Sequence, residues 1–196
     1  MIRTLLIVSL FLNFLFLYQF YQRTVVISVP DGDSLQLFDG RRVRLLGIDA
    51  PEKDRCMADE ARITLQSAAK GKHVTLKDTI TDDYGRQLAH VFTFTTNLNE
   101  YMVSRGLARS SHGFTAIQNT AKMQKLGIWS ETCRKTSNPD CTIKGNNRSG
   151  KKTYLLPDCS NYDQTIIDES YGDQWFCTEK EAIAGGFTKA SGCIKT

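Results

Sequence analysis

Five short β-type runs crowd residues 25–94, and this density of strand signal restricts the fold more than any other feature of the chain. The runs fall at 25–29, 35–38, 43–48, 74–77 and 88–94, and the second and third are joined by Asp39-Gly40, a two-residue hairpin signal. Helical signals are interspersed. Residues 58–70 read as a helix ending at Gly71, 99–104 as a short helix capped by Asn99 and closed by Gly106, and 115–126 as a third helix stopped by Gly127. By pattern alone this is an α+β chain.

Its 196 residues fit one or two domains, and 41% hydrophobic content permits a proper core. The net charge of +4 is not concentrated: residues 24–131 and residues 132–196 each hold one basic side chain more than acidic. Net charge therefore gives no argument for a polyanionic partner, which normally meets a clearly basic face. Any such case must come from placement.

Residues 4–21 are a different polymer. They are almost wholly apolar, broken only by Thr4, Ser9, Asn13 and Gln19, with Arg3 before and Arg23 behind. At about 1.5 Å rise per residue, this run nearly spans a hydrocarbon core of roughly 30 Å. A buried core helix is the bland alternative, but an all-round apolar run at the N-terminus favours export or anchoring. No small-x-small cleavage site follows, and Tyr18, Phe20 and Tyr21 run almost directly into the first strand. The expectation is an N-terminal hydrophobic helix over residues 1–23 that stays attached as a membrane anchor. The rest of the chain would then face the periplasm or exterior, or be secreted if the segment is cut.

Cys56, Cys133, Cys141, Cys159, Cys177 and Cys193 form an even set without a C-x-x-C pair. Zinc sites usually bring ligands together at short spacing, so structural disulfides in an oxidising compartment are the better reading. Six cysteines allow fifteen pairings. A polar linker, 132–140, precedes a second segment, 141–196, expected to be a small α+β disulfide-bonded module. Within it Thr178 and Glu181 match a capping box. Nested topology predicts Cys141–Cys193 and Cys159–Cys177 there.

Three fragments at strand edges carry chemistry: Asp31-Gly32-Asp33-Ser34, then Arg44-Leu45-Leu46-Gly47-Ile48-Asp49-Ala50-Pro51-Glu52, then Asp82-Asp83-Tyr84-Gly85-Arg86. A hard cation such as calcium needs several oxygen ligands, and Asp33 and Asp49 offer carboxylates. Alone, Asp33 would read as a turn aspartate bonding its own backbone. Glu52 follows Pro51, whose fixed backbone can aim it at a water. Arg44 and Arg86 offer planar forks that bind phosphate oxygens bidentately and stay charged at any working pH. Arg44 lies in an apolar strand, opposite in face to Val43 and Leu45, so it needs an acidic or phosphate partner.

In this order the three fragments resemble the staphylococcal (micrococcal) nuclease family, over residues 24–131. The resemblance implies a five-stranded OB-type β-barrel with three helices. It also implies calcium held by Asp33, Asp49 and the Ala50 carbonyl, with Glu52 as general base or water-positioning group and Arg44 and Arg86 as the phosphate clamp. Tyr84 is retained as a substrate contact. The family's two tyrosines after Gly-Leu-Ala are His112 and Phe114 here, and the lysine often preceding Tyr84 is Asp83. Related nucleases with a cysteine at the position of Cys56 often carry another after Gly-x-Trp, which implies a Cys56–Cys133 bond. The expected activity is calcium-dependent hydrolysis of DNA and RNA, single strands favoured, leaving 3′-phosphates, by a monomer. The alternatives are a catalytically silent OB-fold nucleic-acid-binding protein and a cell-envelope interaction protein. Retention of all five charged residues argues against silence.

Overall fold

A computed structural model describes residues 9, 12–13, 24–148 and 150–193. The helix expected over residues 1–23 lies outside the described residues except for Ser9, Leu12 and Asn13, which are helical. No helix among the described residues is long and apolar enough to cross a membrane.

The first sheet is mixed. Strands β1 (Val26–Asp31), β2 (Ser34–Leu37) and β3 (Arg42–Leu45) form an antiparallel meander. After a two-residue strand β4 (Ile48–Asp49) and helix α1 (Ala58–Ala69), strands β5 (Thr75–Thr81) and β6 (Gln87–Phe92) complete the order β1-β2-β3-β6-β5, with β6 parallel to β3. Helix α2 (Leu98–Ser104), strand β7 (Arg109–Ser110) and helix α3 (Thr115–Met123) follow, and β7 pairs with β4. Alternation along β2 and β3 sends Leu35, Leu37, Val43 and Leu45 into one core. Ala61, Leu65 and Ala69 line the inner stripe of α1, four residues apart, and join the same core.

Two local expectations are corrected. The run 43–48 is not one strand; it breaks at Leu46-Gly47, because Gly47 has φ +78° and a side chain there would meet the His112 carbonyl at 2.6 Å. Helix α2 is capped by Asn97, whose side chain accepts from the Asn99 and Glu100 amides. Asn99 is instead buried, accepting from the Val91 amide (2.9 Å) and donating to the Leu46 carbonyl (2.8 Å). It thereby ties the strand break to β6 and holds the segment that leads to Asp49.

The C-terminal region forms its own sheet. Strands β8 (Ile143–Arg148), β9 (Lys151–Leu155), β10 (Gln174–Phe176) and β11 (Thr188–Lys189) order as β10-β8-β9-β11, with helix α4 (Glu179–Ala184) against them. The Thr178–Glu181 capping box is present. A small core of Ile143, Tyr154, Phe176, Ala182 and Phe187 is separate from the first.

Three disulfides are formed. Cys56–Cys133 closes 77 residues, which chain entropy puts at about 4.5 kcal/mol. The nested pairing is corrected: Cys141 bonds Cys177, and Cys159 bonds Cys193. Strand pairing explains both. Antiparallel β8 and β10 set Ile143 opposite Phe176, so Cys141 and Cys177 share one end. Parallel β9 and β11 run the same way, so the cysteines following each fall side by side.

Candidate active site

Asp33 sits in the turn between β1 and β2, and the turn lies close under its neighbours. A side chain on Gly32 would stand 2.6 Å from Ala61 and 2.7 Å from Ala50, so only glycine lets α1 and the Ala50 segment approach. Arg44, at the middle of β3, turns away from the core that holds Val43 and Leu45 and reaches two carboxylates. Its Nη1 donates to Asp33 Oδ1 at 2.9 Å, and its Nη2 donates to Asp49 Oδ1 at 2.8 Å while lying 2.9 Å from Asp33 Oδ2. The Ala50 amide also donates to Asp33 Oδ2 at 3.0 Å. Arg44 thus ties the β1–β2 turn, β3 and β4 together at one point.

The two carboxylates differ in setting. Asp33 is 3% exposed, and burial pushes its pKa up to about 7, although Arg44 and the Ala50 amide pull the other way. The Asp49 side chain is 58% exposed. For Arg44, burial works against the charge, and Asp33 and then Asp49 outweigh it, raising its pKa. Burial thus opposes the Asp33 charge even with Arg44 beside it, and a divalent cation held there would favour the ionised form.

Beside this row lies a cavity of about 340 Å³ lined by Arg44, Asp49, Ala50, Glu52, Arg55, Arg109, Asn147, Gly150, Ser170 and Tyr171. Glu52 is exposed, and its carboxylate makes no hydrogen bond or ion pair among the described residues. An unencumbered carboxylate beside a guanidinium can take a proton from water. No three His, Cys, Asp or Glu side chains among the described residues converge as a metal cluster. The donor set still suits a hard cation: two carboxylates, and an Ala50 carbonyl that accepts no hydrogen bond among the described residues.

Arg86 is placed differently. It borders an adjacent cavity shared with Asp31, Arg42 and Arg44, and its Nε donates to Asp82 at 2.7 Å. Asp82 also accepts from the Arg86 and Tyr84 amides, so the whole turn is organised on one carboxylate. Tyr84 is 85% exposed and His112 is exposed, and neither is among the residues lining the two cavities. Phe114 is half-buried, packed on the main core and edge-on to His90 at 5.8 Å.

Sequence reasoning missed the far wall of the first cavity. Arg109 of β7 donates to Asp168 at 2.7 Å and to the Ser170 hydroxyl at 2.8 Å, and Arg134 lies 3.7 Å from Asp168. These contacts dock the turn Glu169–Tyr171 against the β4–β7 pair. Buried Asp173 organises the same turn, accepting from the Asp168 and Asn147 amides and from Arg148. No local signal in residues 141–196 points to this docking.

Comparison with known proteins bears on the same residues. The family described as staphylococcal nuclease homologue matches residues 42–131. An uncharacterized endonuclease of Escherichia coli O157:H7 is 35% identical over 116 residues, covering 54% of this chain and 76% of its own. The chain belongs to the staphylococcal nuclease family. A micrococcal nuclease of Shigella flexneri is 30% identical over 129 residues, 56% of this chain and 74% of its own. A further uncharacterized endonuclease, from Haemophilus influenzae, is 34% identical over 116 residues, 54% of this chain and 65% of its own. Membership in the staphylococcal nuclease family makes the chain a nuclease with an OB-type α+β fold. The matched span contains Arg44, Asp49, Ala50, Glu52 and Arg86; Asp33 precedes it, and residues 132–196 follow it.

Proposed function

We propose that the chain is a calcium-dependent phosphodiesterase cutting DNA and RNA, with single strands favoured, leaving 3′-phosphates. The observation that carries this reading is Arg44 held between Asp33 and Asp49 at a cavity where Glu52 stands free. Asp33, Asp49 and the Ala50 carbonyl would hold calcium, which when bound supplies positive charge beside the scissile phosphate. Glu52 accepts the proton of the attacking water. Water oxygen bonds to phosphorus, the bond from phosphorus to the 5′ oxygen breaks, and that oxygen leaves as an alkoxide that takes a proton from solvent, while Glu52 later returns its own proton to solvent. Arg44 has N–H groups beyond those bonded to its carboxylates, and these donate to the phosphate oxygens as charge builds there. Arg86, freed from Asp82, would serve the leaving oxygen. Tyr84 and His112, both exposed, would contact the strand flanking the site.

The test is incubation of the chain with labelled single-stranded DNA in calcium and then in excess chelator. Cleavage should appear with calcium, stop with chelator, and yield 3′-phosphate ends; cleavage unaffected by chelator would remove the metal from the reading.

The mixed sheet order supports a five-stranded OB-type barrel over residues 24–131. The separate second core supports a distinct unit at 141–196. Three disulfides support residence in an oxidising compartment, at the cell envelope or secreted. Protease added to cells whose outer layers are opened but whose cytoplasmic membrane is intact should degrade the chain; full protection, with reduced cysteines, would place it in the cytoplasm instead.

A further inference from the structure

The catalytic cavity has two walls, and only one is accounted for by the proposed chemistry. Besides Arg44 and Glu52, it is lined by Arg55 and Tyr171. Arg55 comes from the loop between Glu52 and α1, and Tyr171 from the docked turn of the C-terminal region. Every other arginine on this cavity is engaged: Arg44 with Asp33 and Asp49, Arg109 with Asp168 and Ser170. Arg55 is half-buried, yet its guanidinium makes no hydrogen bond, ion pair or ring contact among the described residues. It lies against the turn, for a side chain on Gly172 would stand 3.4 Å from its Cζ. The Tyr171 hydroxyl likewise has no partner among the described residues, and the residue is 44% exposed. Its ring is braced by Arg109 at 5.1 Å and Arg148 at 5.7 Å.

A guanidinium with no carboxylate bonded to it keeps all its N–H donors available to an external anion. Here the unused donors are a charged planar fork and a phenol O–H, both suited to phosphate oxygens. Neither belongs to the groups assigned to the scissile phosphate. We propose that Arg55 and Tyr171 form a second phosphate subsite, which binds the backbone phosphate next to the one being cut. The C-terminal region is then part of the substrate site: it supplies Tyr171 directly and walls Arg55 into the cavity. The inference rests on the nuclease reading for which strand it serves, but its binding part stands without catalysis.

The experiment compares Arg55→Ala and Tyr171→Phe with the unaltered chain. Neither removed group makes an intramolecular bond among the described residues, so both variants should melt with the parent. Binding of a single-stranded oligonucleotide is followed across salt concentrations in chelator, where no cleavage occurs. Arg55→Ala should weaken binding and flatten the slope of log affinity against log salt by about 0.7, the value of one phosphate contact on a single strand. Tyr171→Phe should weaken binding several-fold and leave the slope alone. In calcium, Arg55→Ala should raise KM for a trinucleotide with two phosphates and leave KM for a dinucleoside monophosphate, which has one, unchanged. Equal affinity and an unchanged slope in Arg55→Ala would overturn the subsite. So would equal KM increases for both substrates. A parent chain that cleaves neither substrate would sink the nuclease reading, while the salt slope would still decide the subsite.

Discussion

Replacing Arg44 with alanine should lower cleavage by about 10²-fold or more, the cost of losing one preorganised donor to developing oxyanion charge. Arg44 is the residue that both faces the cavity and joins the two candidate metal carboxylates. Its loss has a second consequence. Asp33 is almost fully buried and already pushed up to about 7 with Arg44 present, so without it the carboxyl shifts further toward the neutral form. Alanine at this position therefore also lowers stability, since buried Asp33 must either protonate or remain charged without its partner. Arg44→Lys separates the two effects, because lysine keeps a positive charge near Asp33 but lacks the planar fork. The lysine variant should fold and still cleave far more slowly at saturating calcium, measured in single turnovers. Arg86→Ala should also fall by about 10²-fold through the same kind of contact. It should melt like the parent, because the Arg86 side chain is 41% exposed and residues 83–85 of the turn are exposed. Rates like the parent's in both Arg44→Lys and Arg86→Ala would dissolve the phosphate clamp.

Glu52→Gln should be the second severe lesion, with the rate down by roughly 10² to 10⁴, the usual contribution of a positioned general base. The amide is nearly the same size and cannot take a proton. The carboxylate bonds nothing among the described residues, so stability should hardly change. Calcium affinity, measured by titration, should stay close to that of the parent, because Glu52 is assigned to the water and not to the metal. A variant that loses calcium binding along with activity would make Glu52 a ligand. A variant that retains the rate would leave the reaction without its proposed base.

The three charged fragments could be read along the chain because each depends on residue type and short spacing. The Asp-Gly-Asp turn needs glycine at Gly32 for close approach, and strand alternation alone predicts that Arg44 leaves the core beside Val43 and Leu45. Short-range periodicity likewise located the strands of the first sheet and the three helices that go with them, missing by a few residues where a local rule had a competitor, but not the strands of the C-terminal sheet. Asn97 and Asn99 are both able caps, and only the burial of Asn99 under Leu46 and Val91 decided between them.

The amino-acid sequence by itself determined the class of chain, the even cysteine set and the residues of the proposed chemistry. Tertiary structure alone decided how the four C-terminal cysteines pair, because their pairing follows strand adjacency, and adjacency in β8-β10 and β9-β11 is a long-range property. It also separated Arg86 from the cavity of Arg44 and Glu52, and turned Phe114 onto the core. Above all it brought Tyr171 to that cavity from more than a hundred residues along the chain, by docking Asp168 on Arg109. Nothing in the spacing of Arg109 and Asp168 could announce that contact. A half-buried ion pair between distant segments is specified by how the two segments pack, not by either segment alone.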